Sequence, residues 1–212
     1  MGSITEIFYA ISSAALIPTE LALLVALAIV CVMIGRTLRD AVERARVAKS
    51  RKTLDHALEI VDNPQSARDL IEAAAKEARR DPAVQFLATV LPKIDDDPFV
   101  VKKALDYQNA AKAYCERPER LARISPALGL MGTLIPLGPA LVGLSQGDLE
   151  TLSGGLVVAF STTVVGLATA ILAGFVAAAR KRWARRDLAL VSFAIERAQK
   201  IDKTIPEDDE EK

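Results

Sequence analysis

The apolar residues of the chain are concentrated in three blocks that are separated by charged segments. Residues 124–146 and 151–179 contain no Asp, Glu, Lys, Arg or His. The first block is less uniform, because its charge-free core, residues 21–35, is short. A helix needs roughly 20 apolar residues to cross the hydrocarbon core of a bilayer. The pattern therefore predicts three membrane-spanning helices, at residues 18–35, 124–146 and 152–179.

The segment before the first span has the character of an interfacial helix. It is apolar and includes Phe8 and Tyr9, and aromatic side chains are enriched at membrane–water interfaces. Pro18-Thr19-Glu20 predicts the start of the spanning helix, since Pro is favoured in a first turn and an acidic side chain at the positive helix end. We therefore predict that residues 1–17 form an extracytoplasmic helix lying on the membrane.

The basic residues set the predicted orientation. Five follow the first span, three precede the second and five follow the third, whereas the loop at 147–151 has none. Because positively charged flanks remain in the cytoplasm, we predict a multi-pass protein of the cell membrane with its N-terminus outside and its C-terminus in the cytoplasm. The basic flanking residues are Arg36, Arg39, Arg44, Arg46, Lys49, Arg117, Arg120, Arg123, Arg180, Lys181, Arg182, Arg185 and Arg186.

The cytoplasmic segments are predicted to be helical. Apolar residues recur at helical spacing after the first span, up to the break at Asn63-Pro64. Within the cytoplasmic region 36–123 we expect further helices at 66–80 and 83–94. Another starts at Asp95-Asp96-Asp97-Pro98 and is kinked or restarted at Pro118. A cytoplasmic helix at 180–205 and an acidic tail at 206–212 complete the chain.

Composition excludes several classes of function. The formal net charge is +0, which gives no reason to expect nucleic-acid binding. Asp95-Asp96-Asp97 fits a helix cap better than a metal site, because it lacks the alternation and glycine of a calcium loop. The chain has no nucleophile–base set, phosphate loop or metal cluster that would indicate an enzyme, and no cofactor is expected. The predicted class is an all-α integral membrane protein with long cytoplasmic helical extensions.

Small residues form stripes on the second and third spans. Such stripes let helices approach closely in lipid, where packing replaces the hydrophobic driving force. Their first interpretation is therefore structural, and we predict helix packing by the five glycines within them. These glycines are Gly129, Gly132, Gly143, Gly155 and Gly166.

Threonine hydroxyls accompany these stripes, and two interpretations of them remain open. A threonine in a membrane helix can bond back to its own i−4 carbonyl. Alternatively, Thr133, Thr162 and Thr163 line an ion path, because each hydroxyl is both donor and acceptor and polar residues in hydrocarbon usually face protein or water. The second and third spans lack a titratable group, which proton carriers normally need near the midplane. A partner would have to supply it.

The sequence resembles the MotA/TolQ/ExbB family, the outer-ring subunits of ion-driven membrane motors. Ser125-Pro126 and the GLMGT run at 129–133 are similar to the family's AP–GLxGT pattern. Residues 159–170, AFSTTVVGLATA, are similar to its ALxTTxxGLxxA pattern. The resemblance covers roughly residues 117–186, and the three predicted spans are similar to the ExbB and TolQ branch.

This resemblance implies an assembly and a role. It implies a ring, typically a homopentamer, around a single-span partner of the MotB/TolR/ExbD type that carries a membrane aspartate. It also places Thr133 and Thr163 on the family's pore threonines, with Thr162 as their neighbour. One departure is Val158, which stands where ExbB and TolQ carry a glutamate.

Two functions follow as hypotheses. The first is a ring-forming stator subunit that converts the flow of H+ or Na+ into mechanical work together with its partner. The second is a non-conducting membrane scaffold that uses its small-residue stripes only for assembly. Threonine oxygens suit both ions, so the sequence leaves the ion open.

Overall fold

The structure of the protein is a computed structural model, which describes Ile7, Ala10, Ile11 and residues 13–60, 64–77, 81–93 and 96–202. These residues form five α-helices and one short 3-10 turn, with no strand among them. The predicted all-α class is confirmed. The helices are α1 (Leu16–Ile60), α2 (Pro64–Glu77), α3 (Pro82–Val90), α4 (Asp97–Ser145) and α5 (Leu149–Asp202), and the 3-10 turn is Leu91–Lys93.

Three of the helices are long and apolar enough to cross a membrane. They lie within Leu16–Lys49, Asp97–Ser145 and Leu149–Glu196, by length and composition. The chain is therefore a multi-pass membrane protein. The exact limits of the spans and the assembly into a ring remain predictions from the sequence. The acidic tail and most of the predicted interfacial segment lie outside the described residues; Ile7 and Ile11 are helical and exposed.

The chain divides into two compact units. The first comprises residues 1–37 and 115–179, and the second comprises residues 38–114 and 180–212. The second unit has the larger apolar core, in which residues of α1, α2, α3 and α5 pack together. Its buried members include Leu54, Leu58, Ile71, Val84, Leu87, Leu190 and Val191.

An ion-pair network in the second unit holds three of its helices. Asp187 of α5 is 3% exposed and accepts from both terminal nitrogens of Arg44, at 3.0 and 2.8 Å. Arg51 donates to the same carboxylate at 2.5 Å and lies 3.6 Å from Asp81. Asp81 in turn accepts from the backbone N–H of Ala83 and so caps α3. The buried carboxylates are thus neutralised by arginines from a neighbouring helix, as buried charges require.

Acidic residues also mark the start of α4, as the sequence predicts. Asp96 Oδ1 accepts from the backbone N–H of Phe99 at 3.2 Å. The carboxylate satisfies one of the unpaired donors of the first turn, so the interpretation of this run as a helix cap is confirmed at Asp96. Asp95 lies outside the described residues.

Several helix boundaries differ from the expectation. The helices expected at 66–80 and 83–94 are α2 and α3, and α3 ends at Val90, before the 3-10 turn. The first spanning helix begins at Leu16 and not at Pro18; because the first four N–H groups of a helix need no intrahelical partner, Pro18 is tolerated inside the first turn.

Helix α4 runs without a restart through Pro118, Pro126, Pro136 and Pro139. The sequence predicted either a kink or a restart at Pro118, and the restart was wrong. A side chain of another helix donates to the carbonyl that has lost its helical donor at Pro118.

Candidate functional site

A tight turn brings α4 and α5 together. Gly147 has φ 80°, a left-handed conformation that favours glycine. Asp148 Oδ1 then accepts from the N–H groups of Glu150 and Thr151 at 3.1 and 3.0 Å, and its Oδ2 accepts from the Thr151 hydroxyl at 2.5 Å. These bonds cap α5, and they hold the pKa of the exposed Asp148 carboxyl below its ordinary value. The short connection makes α4 and α5 antiparallel neighbours.

The five glycines predicted to pack helices all lie at the contact between α4 and α5. A Cβ on Gly132 would lie 2.7 Å from the Cβ of Thr162, and a Cβ on Gly155 would lie 2.7 Å from that of Ala140. A Cβ on Gly166 would lie 2.9 Å from the Cα of Gly129. Gly143 is placed against Thr151 in the same way, at 3.0 Å. At Gly132, Gly155 and Gly166 a methyl group would force the helices apart.

Gly132 and Thr133 are adjacent candidates for the helix contact, and only one of them lies on the buried stripe of α4. Gly132 is buried, whereas Thr133 is only half-buried. A step of one residue turns the side chain by about 100° around a helix of 3.6 residues per turn. Thr133 therefore lies at the edge of the contact. The buried residues are Ser125, Gly129, Gly132, Pro136, Ala140 and Gly143 on α4, with Ala159, Thr162, Gly166, Thr169 and Ala173 on α5.

The three candidate threonines take two positions relative to this contact. Thr162 is 9% exposed and occupies the space that Gly132 leaves open. Thr133 and Thr163 are half-buried on either helix. The structure therefore separates Thr162, at the centre of the helix contact, from the two threonines at its borders.

Each of the three hydroxyls donates to a carbonyl of its own helix. Thr133 donates to Leu130 at 2.7 Å, Thr163 donates to Ala159 at 3.1 Å, and Thr162 donates to Val158 or Ala159 at 3.0 Å. A hydroxyl that has used its proton keeps its oxygen as an acceptor. In this arrangement the threonines offer lone pairs, which suit a cation or the proton of a water molecule.

Prolines add further acceptors to the same helix. Pro136 and Pro139 have no N–H, so the carbonyls of Gly132 and Ile135 cannot receive the usual i+4 bond. The Gly132 carbonyl belongs to the residue next to Thr133. Helix α4 therefore has backbone oxygens without their usual helical donor beside one of the candidate hydroxyls, and in lipid these need protein or water as partners.

Ser125 is a functional candidate that the sequence pattern did not single out as a site. Its side chain is fully buried, and its Oγ has no hydrogen-bond partner within the described residues. Other hydroxyls of α4 and α5, such as those of Ser145 and Ser161, donate to their own helix. The one feature of the sequence that indicated an irregularity near Ser125 was Pro126. A proline there leaves the carbonyl of Ala122 without its helical donor.

The apolar segments of α4 and α5 that form the contact carry no charged side chain. Neither residues 124–146 nor residues 151–179 contain a titratable acid or base. Val158 is half-buried, and its carbonyl accepts from Thr162. These two segments can coordinate or solvate an ion with neutral oxygens, but they have no side chain that could exchange a proton with it.

Comparison with known proteins agrees with this description. Residues 93–192 match the MotA/TolQ/ExbB proton channel family. The matched segment includes all of α4, the Gly147 turn and α5 up to Ser192, and it contains both motifs quoted from the sequence. No curated protein and no solved structure matches the chain. The resemblance to this family that the sequence motifs indicated is therefore confirmed by a match over residues 93–192.

Proposed function

We propose that the protein is the ring-forming subunit of an ion-driven membrane motor, and that α4 and α5 line the path of the ion. The observation that carries this proposal is the placement of Thr133 and Thr163. Both are half-buried at the borders of a glycine-packed helix pair, inside the segment that matches a proton channel family. Their oxygens are polar groups within two otherwise apolar segments, residues 124–146 and 151–179.

The absence of an acid from the second and third spans defines what the partner contributes. A proton path through a membrane normally needs a titratable group near the midplane. The proposed partner is a single-span subunit of the MotB/TolR/ExbD type whose membrane aspartate binds and releases the ion. In this division of roles the threonine oxygens hold water or a bare cation beside that aspartate. Ion flow would drive movement of the ring relative to the partner, and the ion is H+ or Na+.

Assembly into a ring, proposed as a pentamer, is supported by the outward faces of the spans. Large apolar side chains remain exposed on one face of α5 at helical spacing, among them Val157, Phe160, Val164 and Phe175. A face of this kind requires lipid or another subunit against it, because it cannot lie in water. The proposed orientation, with the N-terminus outside, rests on the basic flanks of the spans.

The experiment that tests the conducting role compares hydroxyl variants in reconstituted vesicles. The protein would be copurified with its partner, and H+ and Na+ flux measured for Thr163→Val and Thr133→Val, which keep the side-chain shape and remove the oxygen. Ser161→Ala is the matched control, because Ser161 is exposed on α5 and bonds back to Val157. We expect at least a ten-fold loss of flux in the threonine variants and little change in the control.

The alternative function is a non-conducting scaffold. It is favoured by the same glycine contacts and by Val158, which replaces the acid found in some relatives. Under this hypothesis, the threonine variants would assemble normally and the wild-type complex would carry no flux above that of empty vesicles. That result would overturn the proposed function.

A further inference from the structure

A cavity of about 360 Å³ opens in the second unit. Its walls come from one face each of α1, α4 and α5 and from the start of α3. Residues Asp40, Glu43, Arg44 and Val47 lie at steps of three and four on α1, and Tyr107, Ala110, Ala111 and Tyr114 do so on α4. The volume falls within the range of about 300–1,000 Å³ that is typical of small-molecule sites.

Small side chains line part of the cavity. Ala111 on α4 and Ala184 on α5 are half-buried in its wall, and the exposed Ala110 also lines it. Protein interiors are otherwise close-packed. A larger side chain in place of Ala111 or Ala184 would occupy part of the space with little change in charge.

Aromatic rings form the sides of the cavity, and two of them already hold a cation. The guanidinium of Arg44 lies 5.2 Å from the centre of the Trp183 ring. That of Arg180 lies 4.1 Å from the centre of the Tyr114 ring. Both distances are within the range of cation–π attraction. Tyr107, the third aromatic residue, is supported by Phe86 at 4.7 Å between ring centres, and its hydroxyl makes no hydrogen bond to the described residues.

The charge of the lining is negative. Four carboxylates face the cavity, and two of them, Asp81 and Asp187, are paired with Arg51 and Arg44. Asp40 accepts a 2.6 Å hydrogen bond from the Tyr114 hydroxyl. Within the described residues no lysine or arginine is at ion-pair distance from Asp40. Glu43 lies one turn further along the same face of α1.

We propose that this cavity binds a small organic cation, namely a primary amine or guanidinium group on a short apolar stem. Asp40 forms the anionic contact, the rings of Tyr107 and Trp183 cover the stem, and the Tyr107 hydroxyl offers an additional acceptor. A neutral or anionic ligand would leave Asp40 without a cationic partner. The proposal does not depend on ion conduction, because every residue in it lies outside the helix contact described above.

The chain provides its own reporter for the test. Trp183 is the only tryptophan and lines the cavity. The full-length protein in lipid nanodiscs would be titrated with phenethylamine while the Trp183 emission is followed. 2-Phenylethanol and 3-phenylpropionate serve as neutral and anionic probes of similar shape. We expect a saturable change in emission with the amine and none with the other two probes over the same concentrations.

Three variants separate binding in the cavity from binding elsewhere. Ala111→Leu should abolish the response by filling the space, whereas Ala113→Leu, on the exposed side of the same helix, should leave it unchanged. Asp40→Asn should weaken the binding of the amine by about ten-fold, because one charge-assisted contact is lost. Circular dichroism would verify folding, and Ala184→Leu replaces Ala111→Leu if that variant does not fold.

The proposal is overturned by any of three results. These are no saturable change with the amine in the wild-type protein, binding of the neutral probe as tight as that of the amine, and a wild-type response in the folded cavity-filling variants. Each of these results leaves the conducting role unaffected. The flux measurements therefore test the conducting role, and the titration tests amine binding, independently of each other.

Discussion

Arg180 donates from its guanidinium to the backbone carbonyl of Tyr114 at 3.3 Å, and the same guanidinium lies over the Tyr114 ring. This carbonyl would normally accept from the N–H of residue 118, four positions along α4. Residue 118 is a proline and has no N–H. A side chain from α5 therefore takes the place of the missing backbone donor, and α4 continues where the sequence predicted a kink or a restart.

The first prediction concerns this replacement of a backbone donor. The hydrogen bond is partly buried, so Arg180→Met would leave the Tyr114 carbonyl without its donor, and we expect the free energy of unfolding to fall by about 1 kcal/mol. In a Pro118→Ala background the helix regains its own N–H, and the same substitution should cost less. Denaturant unfolding of the four proteins measures this coupling. Arg185→Met, at an exposed site on α5, is the control. Equal costs in both backgrounds would contradict the proposed link.

The second prediction concerns the glycines of the helix contact. Gly155→Ala would place a methyl group 2.7 Å from the Cβ of Ala140, and we expect a loss of about 1–3 kcal/mol through overpacking. The neighbouring Gly154 has nothing within 4 Å of the same methyl position. Gly154→Ala should therefore stabilise the helix by about 0.5–1 kcal/mol. Thermal unfolding in detergent would compare the two; a similar effect of both would show that Gly155 is not at a close contact.

The third prediction concerns the ion-pair network of the second unit. Asp187→Asn would leave Arg44 and Arg51 without their shared carboxylate, and breaking a buried pair of this kind costs about 3–5 kcal/mol. Because the arginine side chains are 24% and 19% exposed, we expect a value at the lower end of that range. Asp106→Asn, on an exposed part of α4, is the control. Unfolding followed by Trp183 emission provides the measurement.

The fourth prediction is a pH dependence located at the turn between α4 and α5. The hydrogen bonds from Thr151 and Glu150 lower the pKa of Asp148 in the folded protein. A lowered folded pKa means that the stabilisation is fully present above the unfolded value of about 3.9. It is lost as the pH falls through the lower, folded value. Stability should therefore be insensitive to this group from pH 7 to 5 and should decline below about pH 4.

The carboxyl resonance of Asp148 in an NMR titration would report this pKa directly. Thr151→Val removes the hydroxyl donor and should return the pKa towards its ordinary value, whereas Ser153→Ala, one turn away and bonded to Glu150, should not. A pKa at or above the ordinary value in the wild-type protein would contradict the proposed cap.

Much of the fold could be predicted from the pattern of residues, because the signals are local. Charge-free blocks of more than 20 residues indicate spanning helices whatever surrounds them. Asp96, close before Pro98, marks a helix start through hydrogen bonds within a single turn. The motifs at 125–133 and 159–170 were also sufficient to indicate the family, since both lie in one contiguous segment.

The details of the candidate site depended on the neighbouring helix. A stripe of small residues on α4 is compatible with either Gly132 or Thr133 at the contact, because the two positions differ by a rotation of about 100°. The side chain of Thr162 resolves this ambiguity, since it needs the space that only a glycine leaves. Ser125 was not predicted as a site for the same reason. Its burial results from the packing of α4 against α5 and cannot be read from α4 alone.

The sequence by itself determined the helical class, the three candidate spans, the acidic helix start at Asp96 and the family, because each depends on covalent order and on hydrogen bonds or hydrophobicity within one helix. The tertiary structure decided which threonine enters the helix contact, why Pro118 does not interrupt α4 and which small side chains line a cavity. Those features depend on atoms that are far apart in the chain and meet only when the helices pack.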